Sequence, residues 1–341
     1  MAGTRRKTHG MRQIAKKSIL LALLLVLTAA LSGCGGDGRG DDEAGDTTTT
    51  ETSAGGEGLS GRIQADGSST VGPFTTAAAE RFREVEPDVQ VTVGVSGTGG
   101  GFERFCRGET DLSNASRPIK DEEAAICKDA GIEYVEFQVA NDALTVVVNK
   151  DNDWVDCLTV EQLKMIWEPA SKVKSWQDVD PKFPDEKLAL FGAGTDSGTF
   201  DYFTDEINGE EGASRSDYSA SEDDNNTVTG VSGEKGGLGY FGFSYFEENQ
   251  DTLKALEIDG GDGCVAPSVE NAQNGTYTPL SRPLFIYAKK KSFSRPEVAA
   301  FVEYALNNET EIAEAAQYVP LTDEQLEKAT TDFEAAVEEA G

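Results

Sequence analysis

The stretch Val89-Gln90-Val91-Thr92-Val93-Gly94-Val95-Ser96-Gly97-Thr98-Gly99-Gly100-Gly101-Phe102-Glu103-Arg104 changes character halfway along. Its first half puts valine at every second position, the period of a strand with one buried face. Large side chains then vanish across Ser96 to Gly101 and return in a short amphipathic helix carrying Phe102 and Phe105. A strand that ends in Ser-Gly-Thr-Gly-Gly-Gly at a helix start gathers free backbone N–H groups and hydroxyls at one point. The positive end of the helix dipole lies there too, so the corner suits a small anion.

Similar corners recur. Ser68-Ser69-Thr70 follows a strand over 62–67 and precedes a helix whose buried face is Phe74, Ala78, Phe82 and Val85, ended by Pro87. Ser116-Arg117 follows a short strand over 111–116, and Pro118 enforces an extended geometry before it. A strand over 188–191 runs into Thr195-Asp196-Ser197-Gly198-Thr199 and then a helix bearing Phe200, Tyr202, Phe203 and Ile207. Between these lie a helix over 122–130, strands over 134–139 and 143–149, and a helix capped by Thr159 with Gln162 as its capping-box partner. Leu163, Ile166 and Trp167 give that helix its core face. A polar loop over 214–226, an aromatic strand over 238–246, a strand over 284–288 and helices over 296–306 and 322–339 complete the chain. Strands alternating with helices indicate an α/β fold with mostly parallel sheets, which bind ligands at the carboxyl ends of their strands.

Serine and threonine are ordinary helix caps. Four such corners in one α/β chain point instead to convergence on a tetrahedral oxyanion, with Arg117 offering a bidentate fork. The candidate ligand-binding residues are Ser69, Thr70, Val71, Gly97, Thr98, Ser116, Arg117, Ser197, Gly198 and Thr199.

The N-terminal 33 residues have the pattern of an export signal. A basic region (Arg5, Arg6, Lys7, Arg12, Lys16, Lys17) precedes a leucine-rich run over 18–31 that is too short to span a bilayer. Leu31-Ser32-Gly33-Cys34 resembles a bacterial lipobox, which makes Cys34 the lipidation site and places the protein on the outer face of the cytoplasmic membrane. Residues 34–58 have the composition of a flexible tether, with Ala44 and Ala54 as the apolar side chains between Gly35 and Gly58. The remaining 280 or so residues are enough for two lobes.

The chain carries a formal charge of −31, and −37 once the six leader cations are discounted. Such a field excludes nucleic acid and anionic lipid as partners. Any anion site must therefore work by close, directed hydrogen bonds. Beyond Cys34 the cysteines are Cys106, Cys127, Cys157 and Cys264, enough for two disulfides in an exported domain, with three pairings open. Their spacing suits no metal, and the single histidine, His9, lies in the leader.

Catalysis fits poorly. Asp196-Ser197-Gly198-Thr199 matches the short aspartic-protease signature, but that chemistry needs two such aspartates, and there is no second copy. A Ser-His-Asp hydrolase lacks its histidine once the leader is gone. A metal-dependent phosphatase would want histidine and clustered carboxylates, and Glu222-Asp223-Asp224 suits a solvated loop better.

The succession Asp-Gly-Ser-Ser-Thr-Val (66–71), Val-Ser-Gly-Thr-Gly-Gly-Gly (95–101), Thr-Asp-Leu-Ser-Asn-Ala-Ser-Arg-Pro (110–118) and Gly-Thr-Asp-Ser-Gly-Thr-Phe (194–200) resembles the phosphate-binding proteins of ABC importers, the PstS family. The resemblance runs from Leu59 to the C-terminus. It implies a two-lobed periplasmic-binding-protein fold of type II that closes on inorganic phosphate and delivers it to permease subunits, as a monomer without cofactor or catalytic step. Chain crossings near Asn141 and Leu280 would divide lobe 1 (59–141 and 281–341) from lobe 2 (142–280). Pairing Cys106 with Cys127 and Cys157 with Cys264 keeps each disulfide within one lobe. Two positions depart from the family: Ala193 stands where many members have arginine, and Ser116 where many have a proton-accepting aspartate. Arg117 is then the expected replacement cation, and Asp66, Asp142 and Asp196 the candidate acceptors. Sulfate, molybdate or another oxyanion is the alternative ligand on the same fold. A surface adhesion or signalling lipoprotein with a degenerate site, or a secreted phosphatase, would be a different class of protein.

Overall fold

The computed structural model describes residues 58–195 and 197–341. The leader, Cys34, the tether as far as Glu57, and Asp196 lie outside the described residues.

Among the described residues, nine strands form one sheet. Its path runs Asp88–Val93, Ser60–Gly67, Leu112–Ala115, Ser281–Lys289, Tyr134–Asn149, Gly237–Gly242, Ala189–Ala193 and Ser219–Ser221, with Leu253–Ala255 pairing Tyr134–Asn149 off the path. Pairing is parallel in the two outer thirds. It is antiparallel in the middle, where Ser281–Lys289 and Tyr134–Asn149 run against each other and against their neighbours. The sheet is thus mixed, because these two strands carry the chain between the outer thirds rather than starting a strand–helix–strand crossover.

Two large apolar clusters flank this middle. One draws on residues 63–140 and 284–336 around Phe74, Phe82, Phe137 and Phe301. The other draws on 144–280 around Trp167, Trp176, Phe203 and Tyr240. Each fully buried aromatic contributes about 1.5–3 kcal/mol of transfer free energy. Both disulfides are present, Cys106–Cys127 and Cys157–Cys264, as the two-lobe division implies. The second ties a small sheet formed by Cys157–Thr159, Glu257–Asp259 and Cys264–Val265.

Several elements differ from expectation. Residues 134–149 form one unbroken 16-residue strand instead of two. Asn141 and Asp142, polar enough to suggest a turn, are buried: Asn141 bridges backbone to Val319, and Asp142 lies beside Arg282. Val85 is 57 % exposed, since the helix Gly72–Val85 already turns out of the core at its last residue. The polar loop contains a helix, Asp224–Gly233, capped by the Asp223 side chain on Asn225 N–H. The aromatic strand stops at Gly242, and Phe243–Glu248 is helical. The Thr159–Gln162 capping box forms as expected, with Leu163, Ile166 and Trp167 buried.

Candidate functional site

Close backbone approach builds the first corner. The strand Ser60–Gly67 ends at Gly67 with φ +141°, where a Cβ would stand 2.1 Å from Asn114 O. Only glycine tolerates that position. Ser68 Oγ then accepts the N–H groups of Thr70 (3.2 Å) and Val71 (3.4 Å), which turns the chain into the helix Gly72–Val85. This leaves the Ser69 and Thr70 side chains facing a cavity of about 430 Å³. Val71 is buried in the apolar cluster instead, its N–H already engaged by Ser68.

At the second corner Gly97 takes φ +75° and opens the helix Gly97–Cys106. Ser96, Gly97, Thr98 and Gly99 line the same cavity. Ser96 Oγ donates to Asp66 Oδ1 at 2.5 Å, and Asp66 is also held by Arg104. The helix sits close because Gly101 has no side chain: a Cβ there would meet Gly67 Cα at 2.5 Å. The Ser116 corner joins this one directly. Thr98 Oγ1 and Ser116 Oγ are 3.0 Å apart, and Ser116 N–H donates to Thr98 Oγ1 at 3.3 Å.

Ser197, Gly198 and Thr199 do not line the cavity. Ser197 Oγ accepts Thr199 N–H at 3.1 Å, capping its own short helix. Gly198 nevertheless abuts the first corner: a Cβ there would lie 3.0 Å from Thr70 N and 3.2 Å from Ser69 Oγ. The helix Gly198–Phe203 instead contributes Asp201 and Tyr202 to the wall.

Both Arg117 and Arg282 line the cavity. The Arg117 guanidinium makes a two-pronged pair with Glu123, 2.8 Å on each prong, and donates to Pro118 O at 3.1 Å. Burial alone raises the Glu123 carboxyl, but hydrogen bonds from Arg117 and Lys120 N–H outweigh it and hold the group below its ordinary value. Arg282 sits on the middle strand Ser281–Lys289. Its Nη2 donates to Thr70 Oγ1 at 2.8 Å, its Nε lies 3.4 Å from Asp142 Oδ2, and the guanidinium lies 3.4 Å over the Tyr202 ring. Tyr202 is fixed in turn by donating to Pro279 O at 2.7 Å. The sequence reading missed Arg282. A lone arginine before Pro283, beside the expected crossing near Leu280, was the available signal.

Four carboxylates complete the wall: Asp201, Asp205, Glu206 and Glu211. Burial pushes Asp201 up, opposed by a hydrogen bond from Ser69 (3.4 Å) and by Arg282. Glu206 and Glu211 are raised first by burial and then by neighbouring acids. Asp142, fully buried behind Arg282, is raised by burial as well. Anion donors and proton-accepting carboxylates therefore share one cavity.

Residues 44–309 match the PBP superfamily domain. The chain is 48 % identical over 273 residues to Protein SphX of Synechococcus elongatus, covering 80 % of this chain and 81 % of that one. It is 41 % identical over 293 residues to the phosphate-binding protein PstS of Staphylococcus saprophyticus, covering 85 % and 86 %. A crystal structure of a possible phosphate binding protein from Planctomyces limnophilus superposes with a TM-score of 0.79 at 49 % identity, covering 82 % of this chain and 99 % of that one. By fold, sequence and the arrangement of its corners, the chain belongs to the PBP superfamily, as a substrate-binding protein of the PstS type.

Proposed function

We propose that the cavity captures inorganic phosphate for the permease of an ABC importer, by binding alone and with no catalytic step. One observation carries the reading: Arg282 reaches Thr70 from the middle strand, so a guanidinium stands among the Ser69–Thr70, Gly97–Thr98 and Ser116 donors. Hydroxyl and N–H donors satisfy oxyanion oxygens, and an arginine fork adds charge-assisted bonds roughly twice as strong as neutral ones. Arg282 takes the role of cation, and Arg117, already neutralised by Glu123, adds a lesser share. The names of similar proteins support phosphate as ligand, among them a Clostridium perfringens substrate-binding protein with bound phosphate at 26 % identity, 77 % coverage of this chain, full coverage of that one and a TM-score of 0.53.

Asp201 serves as acceptor for the phosphate hydroxyl. Asp66 is occupied by Arg104 and Ser96, Asp142 by Arg282, whereas Asp201 faces the cavity with only a long contact to Ser69. A carboxylate there favours a protonated oxyanion over fully ionised sulfate. Val71, Ser197, Gly198 and Thr199 hold the corner from behind, and their N–H groups reach the ligand only after local rearrangement. Lobe 1 (59–141 and 281–341) and lobe 2 (142–280) close on the anion, and Cys34 anchors the monomer by its acyl chains outside the cytoplasmic membrane. Among the described residues no helix is long and apolar enough to cross a membrane.

Titration calorimetry with phosphate, sulfate and molybdate tests the reading. Phosphate should bind at least tenfold more tightly than sulfate. Equal or tighter sulfate binding would overturn it.

A further inference from the structure

Thr70 is gripped at three points. Its N–H donates to Ser68 Oγ at 3.2 Å, and its hydroxyl accepts from Arg282 at 2.8 Å. Its carbonyl accepts from the hydroxyl of Tyr318, 248 positions along the chain. The start of the helix Gly72–Val85 makes no use of that oxygen: Gly72 N–H donates to Ser68 O, and Thr75 N–H to Val71 O. Among the described residues the Tyr318 hydroxyl is the one donor on it. Thr70 is only 7 % exposed, so without Tyr318 a buried acceptor would stand unpaired, which is costly.

Tyr318 is itself firmly held. Gln317 before it takes φ +65°, which turns the chain out of the helix Glu309–Ala315. Tyr318 N–H donates to Ala313 O at 2.9 Å. Val319 after it exchanges backbone bonds of 2.8 and 2.9 Å with Asn141 on the strand Tyr134–Asn149. Burial first, then Asp142, raise the phenol above its ordinary value against the pull of Arg282, so Tyr318 keeps its proton and stays a donor.

A trans peptide unit points its C=O and its N–H in opposite directions. By fixing the Thr70 carbonyl, Tyr318 also fixes where the Val71 N–H points: away from the phenol and toward Ser68 Oγ, which lines the phosphate cavity. At 3.4 Å that bond is long, and Ser68 Oγ already accepts the Thr70 N–H. The Val71 N–H is therefore a weakly committed donor held on the cavity side. We propose that Tyr318 is a positioning residue of the phosphate site, locking the Thr70–Val71 peptide so that the Val71 N–H passes from Ser68 Oγ to a ligand oxygen. Tyr318 does not touch the anion; without it the peptide rotates toward another donor for its carbonyl and carries the N–H off the ligand. The inference rests on the phosphate reading and adds a backbone donor to it.

The test titrates the full chain with inorganic phosphate and reads both the heat and the ¹⁵N-labelled Val71 amide resonance. In the wild type that amide proton should move downfield and saturate in step with the heat. Tyr318→Phe keeps the ring; phosphate should bind about two- to tenfold more weakly, the worth of one neutral hydrogen bond, and the downfield shift should shrink. A purely structural tyrosine would lower the melting temperature and leave both phosphate readouts as they are. Should Tyr318→Phe fail to fold, the wild-type Val71 amide carries the test alone. A Val71 amide unmoved by saturating phosphate, or a folded Tyr318→Phe with wild-type affinity, would overturn the inference and leave the phosphate reading intact. A wild type that binds no phosphate overturns that reading, and this inference with it.

Discussion

Arg282 and Thr70 are 212 positions apart in sequence and joined by a 2.8 Å hydrogen bond in the wall of the cavity. The bond orients the guanidinium across the Tyr202 ring, with Asp142 at its back. Arg282→Lys keeps the charge but loses the planar fork and the ring contact. Phosphate affinity should fall by about 1.5–3 kcal/mol, the range for a charged hydrogen bond. Calorimetry reads this directly, and wild-type affinity would remove Arg282 from the site.

Glu123 competes with any ligand for Arg117. Arg117→Ala should therefore cost less phosphate affinity than Arg282→Lys, under about 1.5 kcal/mol. Glu123→Gln should strengthen binding, because it releases a guanidinium now held on two prongs of 2.8 Å. The two titrations moving in opposite directions would establish the competition.

Asp224 makes stability depend on pH. Burial first, then Asp223 and Glu222, push its carboxyl up to about 6. The folded chain thus holds this proton more tightly than the unfolded chain. Its contribution is complete below the ordinary value of 3.8 and is lost as pH rises through about 6. Two units correspond to about 2.7 kcal/mol. Solvent screening and the lost favourable charge at the helix start reduce the gain in Asp224→Asn to about 1 kcal/mol at pH 7. Thermal unfolding at pH 7 and pH 4 checks it, with the stabilisation absent at pH 4.

The disulfides should differ in both reactivity and worth. Cys106 and Cys127 are buried, whereas Cys264 is exposed, so mild reductant should open Cys157–Cys264 first. That bridge spans 107 positions and the other spans 21. Chain-entropy scaling gives about 4.8 against about 3.3 kcal/mol lost on removal. Denaturant titrations of the two double Cys→Ala variants rank them.

Gly101→Ala places a methyl 2.5 Å from Gly67 Cα and 3.0 Å from Asp66 O. Backbone on both sides leaves no flexible neighbour to move aside. We expect about 1–3 kcal/mol of destabilisation and weaker phosphate binding, because the helix start that bears Thr98 must retreat. Denaturation and calorimetry on the same variant read both effects.

Much of this was legible in the sequence because it is local. The alternating valines, Pro87 and the Thr159–Gln162 box declare their elements within a few residues, and the glycine corners state their own backbone needs. What stayed hidden depends on distant partners. Arg282 becomes a site residue only through Thr70 and Tyr202, and Asp201 only by facing the cavity from an amphipathic helix whose apolar face drew attention first. Asn141 and Asp142 look like a turn until Val319 and Arg282 supply their partners. Arg117 looked like a free cation because Glu123, six residues on, gives no sign in sequence that it will fold back.

The unbroken run from Tyr134 to Asn149, hydrogen-bonded against Ser281–Lys289, has a mechanical meaning. Two paired extended chains bend and twist like a leaf spring; they do not swing about a loose joint. Any approach of the two halves must load that spring, and release of the load would drive them apart again. Arg282 is mounted on the spring itself, one residue in from the start of Ser281–Lys289 and paired with Asp142, so in such a movement it would travel with the spring and not with the outer walls.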